Sequence, residues 1–172
     1  MNSDAEKYLF FFGHRAPPNG AITESCLSQW YDCRFSENGI AYHTAEQYMM
    51  AGKARLFGDD ATLSRIMSAQ APSEYKHLGR IVKHYSEAVW QASRFDIVVK
   101  GNLLKFGQNE ALKRFLLETG DKILAEASAY DLIWGIGLPA YNPDINDPNK
   151  WRGQNLLGQA LMTVRDALRK EK

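Results

Sequence analysis

A glutamate and a lysine, Glu46 and Lys53, lie on the apolar side of a predicted helix that covers residues 44–57. Thr44 and Gln47 have the spacing of a capping box, which predicts where the helix begins. Burying an ionised carboxylate or ammonium costs several kcal/mol unless a partner or solvent compensates the charge. At about 100° per residue, four side chains share one face of this helix: Glu46, Met50, Lys53 and Phe57.

Two interpretations fit this pair of charges. In the first, Glu46 lies at the rim of the apolar stripe, where it favours the helix N-terminus, and Lys53 extends its ammonium to water along its own stem. In the second, the helix lines a cleft, and an acid and an amine about 10 Å apart along the axis reach toward one ligand. Such a pair could supply acid–base or nucleophilic catalysis.

Length and composition limit the class of protein. The 172 residues, 45% hydrophobic and 24% charged, fit one soluble domain with a core large enough to form a pocket. We therefore expect a single domain over residues 1–172. A net charge of +1 argues against a protein that mainly coats nucleic acid, but it is compatible with a local basic patch. The apolar run YLFFFG is too short to cross a membrane and lacks the features of a secretory signal, so we expect a cytoplasmic protein.

The cysteines and histidines do not have the spacing of a metal site. Cys26 and Cys33 match neither a zinc knuckle nor a C-x-x-C motif, and we expect both to be free thiols. His77 and His84 are two helical turns apart, but no acidic or cysteine partner follows at ligand spacing. We predict no metal and no cofactor.

Helical periodicity dominates the chain, and strands are few. Short strands are predicted in YLFFF, GIAYH and KILAEAS. After the first helix, further helices are predicted in DDATLSRIMSAQ with Asp60 as its cap, in APSEYKHLGRIVKHY entered through Pro72, in SEAVWQASRFDIVVKGNLLKF, in NEALKRFLLETG with Asn109 as its cap, and in NLLGQALMTVRDALRK. The predicted fold class is therefore α+β, a predominantly helical, compact single domain with a small β component.

The segment between the last strand and the last helix, residues 129–154, is rich in Gly, Pro and Asn and carries two tryptophans. Long aromatic loops of this kind often carry binding sites. Trp134 beside Gly135 could offer a flat ligand an aromatic face and a close backbone, or it could fill the core beneath the loop. Asn155 is predicted to cap the last helix, whose N-terminus could also bind an anion.

Several common enzyme motifs are missing from the sequence. The run GIG is too short for a dinucleotide-binding fingerprint. The chain also has no P-loop, no H-E-x-x-H and no G-x-S-x-G. The commonest NTPase, zinc-protease and serine-hydrolase classes are therefore excluded.

Six segments, taken together, resemble the NADAR family, the YbiA-like domain. They keep the order of the family and cover nearly the whole chain: YHTAEQYMMAGKARLFGD, HLGR, the tryptophan of EAVWQ, LLKFGQN, LAEASAYDLIWGIG and WRGQNLLGQALMTVR. The resemblance implies the YbiA-like fold, binding of ADP-ribose-like or related ribosyl ligands, and an N-glycosidase activity. The family commonly has L-S-N before an aromatic residue, whereas this chain has Gln29 after Ser28. The resemblance therefore gives weak support to a contact near Ser28.

By position in these motifs, the resemblance implies that Glu46 and Lys53 are catalytic. Breaking an N-glycosidic bond develops positive charge on the ribose C1 and negative charge on the departing base. Glu46 could stabilise C1 or activate water, while Lys53 could stabilise the base or, as a neutral amine, attack C1 and form a ring-opened iminium. The predicted substrate-binding residues are Phe12, Gly13, Ser28, Arg80, Trp90, Glu126, Asp131, Trp134, Gly135 and Asn155.

Three functions fit these observations. The first is a hydrolase that removes ADP-ribose from a modified guanine, with ADP-ribosylated nucleic acid as its partner; the run TAEQYMMAGKARLFGD is closer to the ADP-ribose-directed members of the family. The second is an N-glycosidase that acts on phosphorylated intermediates of riboflavin synthesis. The third is a non-catalytic module that binds NAD or ADP-ribose, and the presence of both Glu46 and Lys53 argues against it. The sequence predicts no membrane partner and identifies no protein partner.

Overall fold

The structure, a computed structural model, describes residues 4–171. As predicted, the fold is α+β, and about half of the residues are helical. The helices are α1 (Asp4–Lys7), α2 (Ala45–Leu56), α3 (Asp60–Ser68), α4 (Pro72–Arg80), α5 (Glu87–Gly107), α6 (Glu110–Glu118) and α7 (Leu156–Lys170), and the strands are β1 (Tyr8–Phe11), β2 (Phe35–Glu37), β3 (Ile40–Tyr42) and β4 (Ile123–Glu126). Within residues 4–171, none of these helices combines the length and apolar character needed to span a bilayer.

The chain divides into two units: residues 29–108, and residues up to 28 together with 109 onward. In the second of these, β1 pairs in parallel with β4, from Tyr8 opposite Ile123 to Phe11 opposite Glu126. Helix α7 buries one side as its periodicity predicts. Its inward residues are almost inaccessible to solvent: Leu157, Leu161, Val164 and Leu168.

The unit of residues 29–108 contains a short hairpin, in which β2 pairs antiparallel with β3. Asn38 and Gly39 connect the two strands with φ angles of 53° and 80°. Positive φ at both positions is what a two-residue hairpin turn requires, and Asn-Gly tolerates it. The sequence predicted β3 but not β2, because a strand of three residues with one buried side chain has too little alternation to be recognised.

Helix α2 packs against α3, α4 and α5 in the same unit. Gly101 on α5 permits a close crossing, because a Cβ at this position would lie 2.6 Å from the ring of Tyr48 on α2. Residues 45–51 are consequently buried on all sides of the helix. The first two turns of α2 are therefore buried all round, and not only along one apolar stripe as the sequence predicted.

Two predicted helix boundaries need correction. The cap of α3 is Asp59 and not Asp60, because the Asp59 side chain accepts the Thr62 N–H at 3.1 Å. Helix α4 begins at Pro72 as predicted but ends at Arg80, whereas the predicted helix continued to residue 85. The five residues that follow, 81–85, form a non-helical connection with turns, and they include Tyr85.

Candidate functional site

The first turn of α2 is fixed by the side chains that the capping-box pattern predicts. Thr44 Oγ1 accepts the Gln47 N–H at 3.0 Å, and Gln47 Oε1 accepts the His43 N–H at 2.8 Å. Gln47 also donates its Nε2 to the carbonyl of Ile66 at 3.1 Å, which ties α2 to α3. These bonds determine the direction in which Glu46, the second residue of the helix, projects.

Glu46 is 5% exposed and lies in the first turn of α2. Its backbone N–H donates to the carbonyl of Gln29 at 2.9 Å. Gln29 is buried as well, and its Oε1 accepts from Asn102 Nδ2 on α5 at 2.9 Å. The residue that departs from the family pattern therefore links the start of α2 to α5.

Lys53 is half-buried, two turns after Glu46. Its Nζ lies 4.7 Å from the ring centroid of Tyr85 and 5.3 Å from that of Trp90. Aromatic faces attract an ammonium through their quadrupole, more strongly when water is excluded. An amine held between two rings favours the cleft interpretation of this helix over simple extension to water.

The pKa of Lys53 lies below the ordinary value for a lysine. Burial is the main cause, because it disfavours the charged amine, and the guanidinium of Arg80 acts in the same direction. The carboxylates of Glu87 and Glu46 oppose this effect and raise the pKa. The net effect is a larger fraction of neutral, nucleophilic amine at a given pH.

The structure brings three predicted residues, Glu46, Arg80 and Trp90, into one cluster with Lys53. Arg80 ends α4, and Trp90 is a buried residue in the first turn of α5. Two further members of this Lys53 cluster, Tyr85 and Glu87, were missed by the sequence reasoning. The periodicity of α4 was extended through Tyr85, and an exposed glutamate in a first helical turn is ordinary. The one feature of the sequence that could have indicated them is Ser86, the N-cap of α5, which lies between Tyr85 and Glu87.

The remaining predicted residues belong to the other unit. Asp131 shapes the loop that contains Trp134: its Oδ1 accepts the N–H groups of Ile133 at 3.0 Å and Trp134 at 2.8 Å. Ser128 Oγ accepts the Asp131 N–H at 3.3 Å. Trp134 is half-buried, so it is neither a fully enclosed core residue nor a free surface residue.

Asn155 does not cap α7 with its side chain, so this part of the sequence prediction is wrong. Its Nδ2 donates to the carbonyl of Leu124 at 3.0 Å, and its Oδ1 accepts the Glu126 N–H at 3.2 Å. Its φ of 54° places it in the left-handed region, which asparagine tolerates. Asn155 therefore fastens the start of α7 to β4, and it fixes the backbone of Glu126.

Gly135 and Gly153 allow two loop backbones to approach closely. A Cβ at Gly135 would lie 3.0 Å from the carbonyl oxygen of Asp131, and one at Gly153 would overlap the carbonyl of Gly135. The Asn155 N–H donates to that same carbonyl at 3.0 Å. We name residues 126–155, held by these contacts, the glycine-packed loop.

Phe12, Gly13 and Ser28 lie near the N-terminal strand. Phe12 is 69% exposed, and both Phe12 and Gly13 line a cavity of about 320 Å³. Ser28 is half-buried and follows a 3-10 helix over Glu24–Leu27, with its N–H donating to the Ser25 carbonyl at 3.1 Å. A cavity of about 460 Å³ between α3 and α4 contains none of the predicted residues.

The part of the chain that the structure describes contains no group of three or more His, Cys, Asp or Glu side chains arranged to hold a metal ion. Neither Cys26 nor Cys33 takes part in a disulfide bond, as predicted. The Lys53 cluster itself offers an amine, carboxylates, a guanidinium and aromatic rings.

Comparison with known proteins assigns the family. Residues 10–169 match the family model of the NADAR domain. The chain belongs to the NADAR family. N-glycosidase R617 of Acanthamoeba polyphaga mimivirus is 46% identical over 169 residues, which cover 95% of this chain and 97% of that protein. Riboflavin biosynthesis protein VVA0006 of Vibrio vulnificus is 29% identical over 142 residues, which cover 83% of this chain but only 35% of that protein.

The fold of this NADAR chain also matches a solved structure. The NMR structure of the Escherichia coli protein YbiA aligns with a TM-score of 0.76 at 23% identity, over 96% of this chain and 87% of that one. The prediction of a YbiA-like fold is confirmed.

Proposed function

We propose that this NADAR protein hydrolyses the N-glycosidic bond between ADP-ribose and a modified guanine in nucleic acid, with Lys53 and Glu46 as its catalytic residues. Membership of the family and the likeness to N-glycosidase R617 over almost the full length of both chains support a hydrolase of N-glycosyl bonds. The observation that carries the residue assignment is the half-buried Lys53 amine, held against Tyr85 and Trp90 in the same unit as the buried Glu46.

Lys53 acts as the nucleophile in this mechanism. Its neutral amine attacks the ribose C1, and the electron pair of the C1–N bond leaves with the guanine, which takes up a proton. The nitrogen then loses a proton and forms a C=N bond as the ribose ring oxygen departs from C1 and takes up a proton, which gives a ring-opened iminium with a free hydroxyl. Water adds to this iminium, and ADP-ribose and the free amine are released. The lowered pKa of Lys53 favours the first step.

Glu46 supplies the base in the same cluster. It can accept a proton from the attacking amine or from the water that hydrolyses the iminium. It lies in the first turn of α2, beside the partial positive charge of the helix N-terminus. The buried carboxylate also stabilises positive charge on C1.

The choice of substrate rests on sequence similarity within the family. The run TAEQYMMAGKARLFGD, which contains both catalytic residues, is closer to the ADP-ribose-directed members. A second candidate substrate is a phosphorylated intermediate of riboflavin synthesis, which the name of the Vibrio vulnificus relative favours. That relative extends far beyond the region it shares with this chain, and for this reason we place it second.

Separate incubations with the two substrate classes test the proposal. A guanine-ADP-ribosylated oligonucleotide and the phosphorylated riboflavin precursors are each mixed with the protein, with Glu46→Gln as the matched inactive control. Mass spectrometry should find ADP-ribose and the unmodified oligonucleotide in the first reaction, at a rate well above that of the second reaction and of the control. Cleavage of the riboflavin precursors alone would transfer the assignment to the second candidate, and cleavage of neither would contradict the N-glycosidase assignment.

A further inference from the structure

Two residues of the Lys53 cluster, Tyr85 and Glu87, have no role in the mechanism above. Tyr85 is the last residue before the N-cap Ser86, and Glu87 is the first residue of α5. Because the connection from α4 is not helical here, Tyr85 can turn its ring toward α2. The ring centroid lies 4.7 Å from Lys53 Nζ.

The Tyr85 ring is held on two sides. It forms an edge-on contact with Phe57, at 5.4 Å between centroids and 60° between ring planes. At its other end, the Tyr85 hydroxyl donates a hydrogen bond to a carboxylate oxygen of Glu87. The other oxygen of Glu87 accepts from Gln91 Nε2 at 2.7 Å. The carboxylate is thus fixed by two donors beside the ring that contacts the amine.

The charged groups that act on the Lys53 amine come from three helices. Glu46 on α2 and Glu87 on α5 favour the ammonium, whereas Arg80 at the end of α4 disfavours it. Arg94, one turn after Gln91 on α5, acts on Tyr85 and Glu87. Glu87 is the strongest of the three charges, although its side chain is exposed. Solvent screens an exposed carboxylate, so Glu87 can act strongly on the Lys53 amine only if its position beside the amine is fixed.

We propose that Tyr85 and Glu87 are positioning residues for Lys53, which hold its amine against Trp90 and set the pH at which that amine becomes nucleophilic. The inference rests on the proposed function, in which Lys53 is the nucleophile. The carboxylate, held by its two donors, favours the charged form of the amine, and the Tyr85 ring contacts that amine. Tyr85 acts through its ring on the amine and through its hydroxyl on Glu87.

The signs of the expected shifts follow from the charges. Glu87 raises the pKa of Lys53, so Glu87→Gln should lower this pKa and move the acid limb of kcat/KM to lower pH. Arg80 lowers the pKa, so Arg80→Met should move the same limb to higher pH. Tyr85→Phe keeps the ring but releases the carboxylate, and it should shift the limb in the direction of Glu87→Gln by a smaller amount. A purely structural role would lower the rate without moving the limb.

The test measures the amine directly, so that it does not depend on the substrate. Each folded variant is labelled with trace acetic anhydride across a pH series, and the acetylation of Lys53 is quantified by peptide mass spectrometry. On the acid side, Glu87→Gln should raise the labelling rate about threefold, the ratio for a shift of half a pH unit, and Arg80→Met should lower it. Glu110→Gln is the matched control. Glu110 is the first residue of α6, so this variant loses the same interaction with a helix N-terminus as Glu87→Gln does. The labelling curve of Lys53 in Glu110→Gln should equal that of the wild type.

Two results would overturn the inference. The first is an unshifted labelling curve in both Glu87→Gln and Tyr85→Phe. The second is a shift of the curves of Glu87→Gln and Arg80→Met in the same direction. The kcat/KM profile separates this failure from a failure of the proposed function. If the labelling curves shift as expected but no N-glycosidic substrate is cleaved, Tyr85 and Glu87 still position the amine and the proposed function is wrong. If the substrate is cleaved and the curves do not shift, only the positioning role is lost.

Discussion

The Lys53 cluster and the glycine-packed loop hold their predicted functional residues by different means. In the Lys53 cluster, side chains from three helices surround an amine, and burial together with their charges sets its pKa. In the loop, backbone groups such as the carbonyl of Gly135 make many of the contacts, and glycines permit the close approach of the chain to itself. The first region depends on electrostatics and the second on backbone geometry.

This difference predicts two kinds of response to substitution. Removing a charge from the Lys53 cluster relieves the cost of burying it, so the fold should tolerate the change while the chemistry does not. Adding a methyl group to the loop should disturb the fold itself, because backbone atoms cannot move aside as flexible side chains do.

Gly153→Ala should give the largest loss of stability. The new Cβ would overlap the carbonyl of Gly135, which accepts the Asn155 N–H. We expect the free energy of unfolding to fall by about 3 kcal/mol or more, at the upper end of the cost of overpacking. Urea denaturation followed by circular dichroism measures this loss.

Gly20→Ala is the control for Gly153→Ala. Nothing lies near a Cβ at Gly20, so the change adds only the strain of a φ of 74°, about 1–2 kcal/mol. Equal losses in the two variants would show that crowding does not hold the loop.

Asn155→Asp should lower the free energy of unfolding by about 1–3 kcal/mol. Aspartate caps a helix as well as asparagine does, but it has no N–H to donate to the carbonyl of Leu124. The loss should appear in thermal and urea unfolding at neutral pH. If Asn155→Asp is as stable as the wild type, Asn155 acts as a simple helix cap, and its side chain does not link α7 to β4.

Trp134→Ala should weaken ligand binding by about 1–3 kcal/mol, the size of a lost stacking contact. Calorimetric titration with ADP-ribose measures the affinity, and thermal unfolding of the same sample measures the stability. Truncating a core tryptophan typically costs about 3–5 kcal/mol of stability. A stability loss of that size together with unchanged affinity would make Trp134 a core residue, and the stacking role would be withdrawn.

Asp59→Ala should lower the free energy of unfolding, and the size of this loss should depend on pH. Asp59 accepts the N–H groups of Thr62 and Lys83, which anchors the chain shortly before Tyr85. The bond from Lys83 is the main cause that lowers the pKa of Asp59 to about 2 from its ordinary 3.8. Because the folded pKa is the lower one, the carboxylate stabilises the fold above about pH 4 and loses this contribution as the pH falls toward 2.

Thermal unfolding of Asp59→Ala and of the wild type across this pH range checks the prediction. The difference in Tm should be constant at neutral pH and should shrink between about pH 4 and pH 2. Asp60→Ala is the matched control, since the neighbouring Asp60 makes neither bond. A difference in Tm that does not change with pH would mean that the anchoring bonds of Asp59 do not need its charge.

The sequence predicted the parts of the fold that follow from local patterns. The capping residues of α2 and the buried side of α7 were predicted correctly because the information lies within one or two helical turns. The positions of Glu46 and Lys53 on α2 follow from the same period. The family motifs added Arg80 and Trp90, which no local pattern singles out.

The parts that were missed depend on contacts between residues far apart in the chain. Asn155 has the sequence pattern of a helix cap. Its side chain instead forms hydrogen bonds with the backbone of Leu124 and Glu126, about 30 residues earlier, and the local pattern does not indicate these bonds. The roles of Tyr85 and Glu87 depend on the end of α4 at Arg80, which the sequence pattern did not predict. The all-round burial of α2 depends on how closely Gly101 allows α5 to approach.

The turnover of Lys53→Met, measured together with its unfolding, tests the central claim most directly. Lys113→Met, which changes a half-buried lysine on α6, is the matched control. If Lys53 is the catalytic amine, its replacement should reduce turnover of the ADP-ribosylated oligonucleotide by roughly 10²-fold or more while stability stays equal or rises. Lys113→Met should retain wild-type turnover. Undiminished turnover in a folded Lys53→Met protein would contradict the assignment of the Lys53 cluster as the active site.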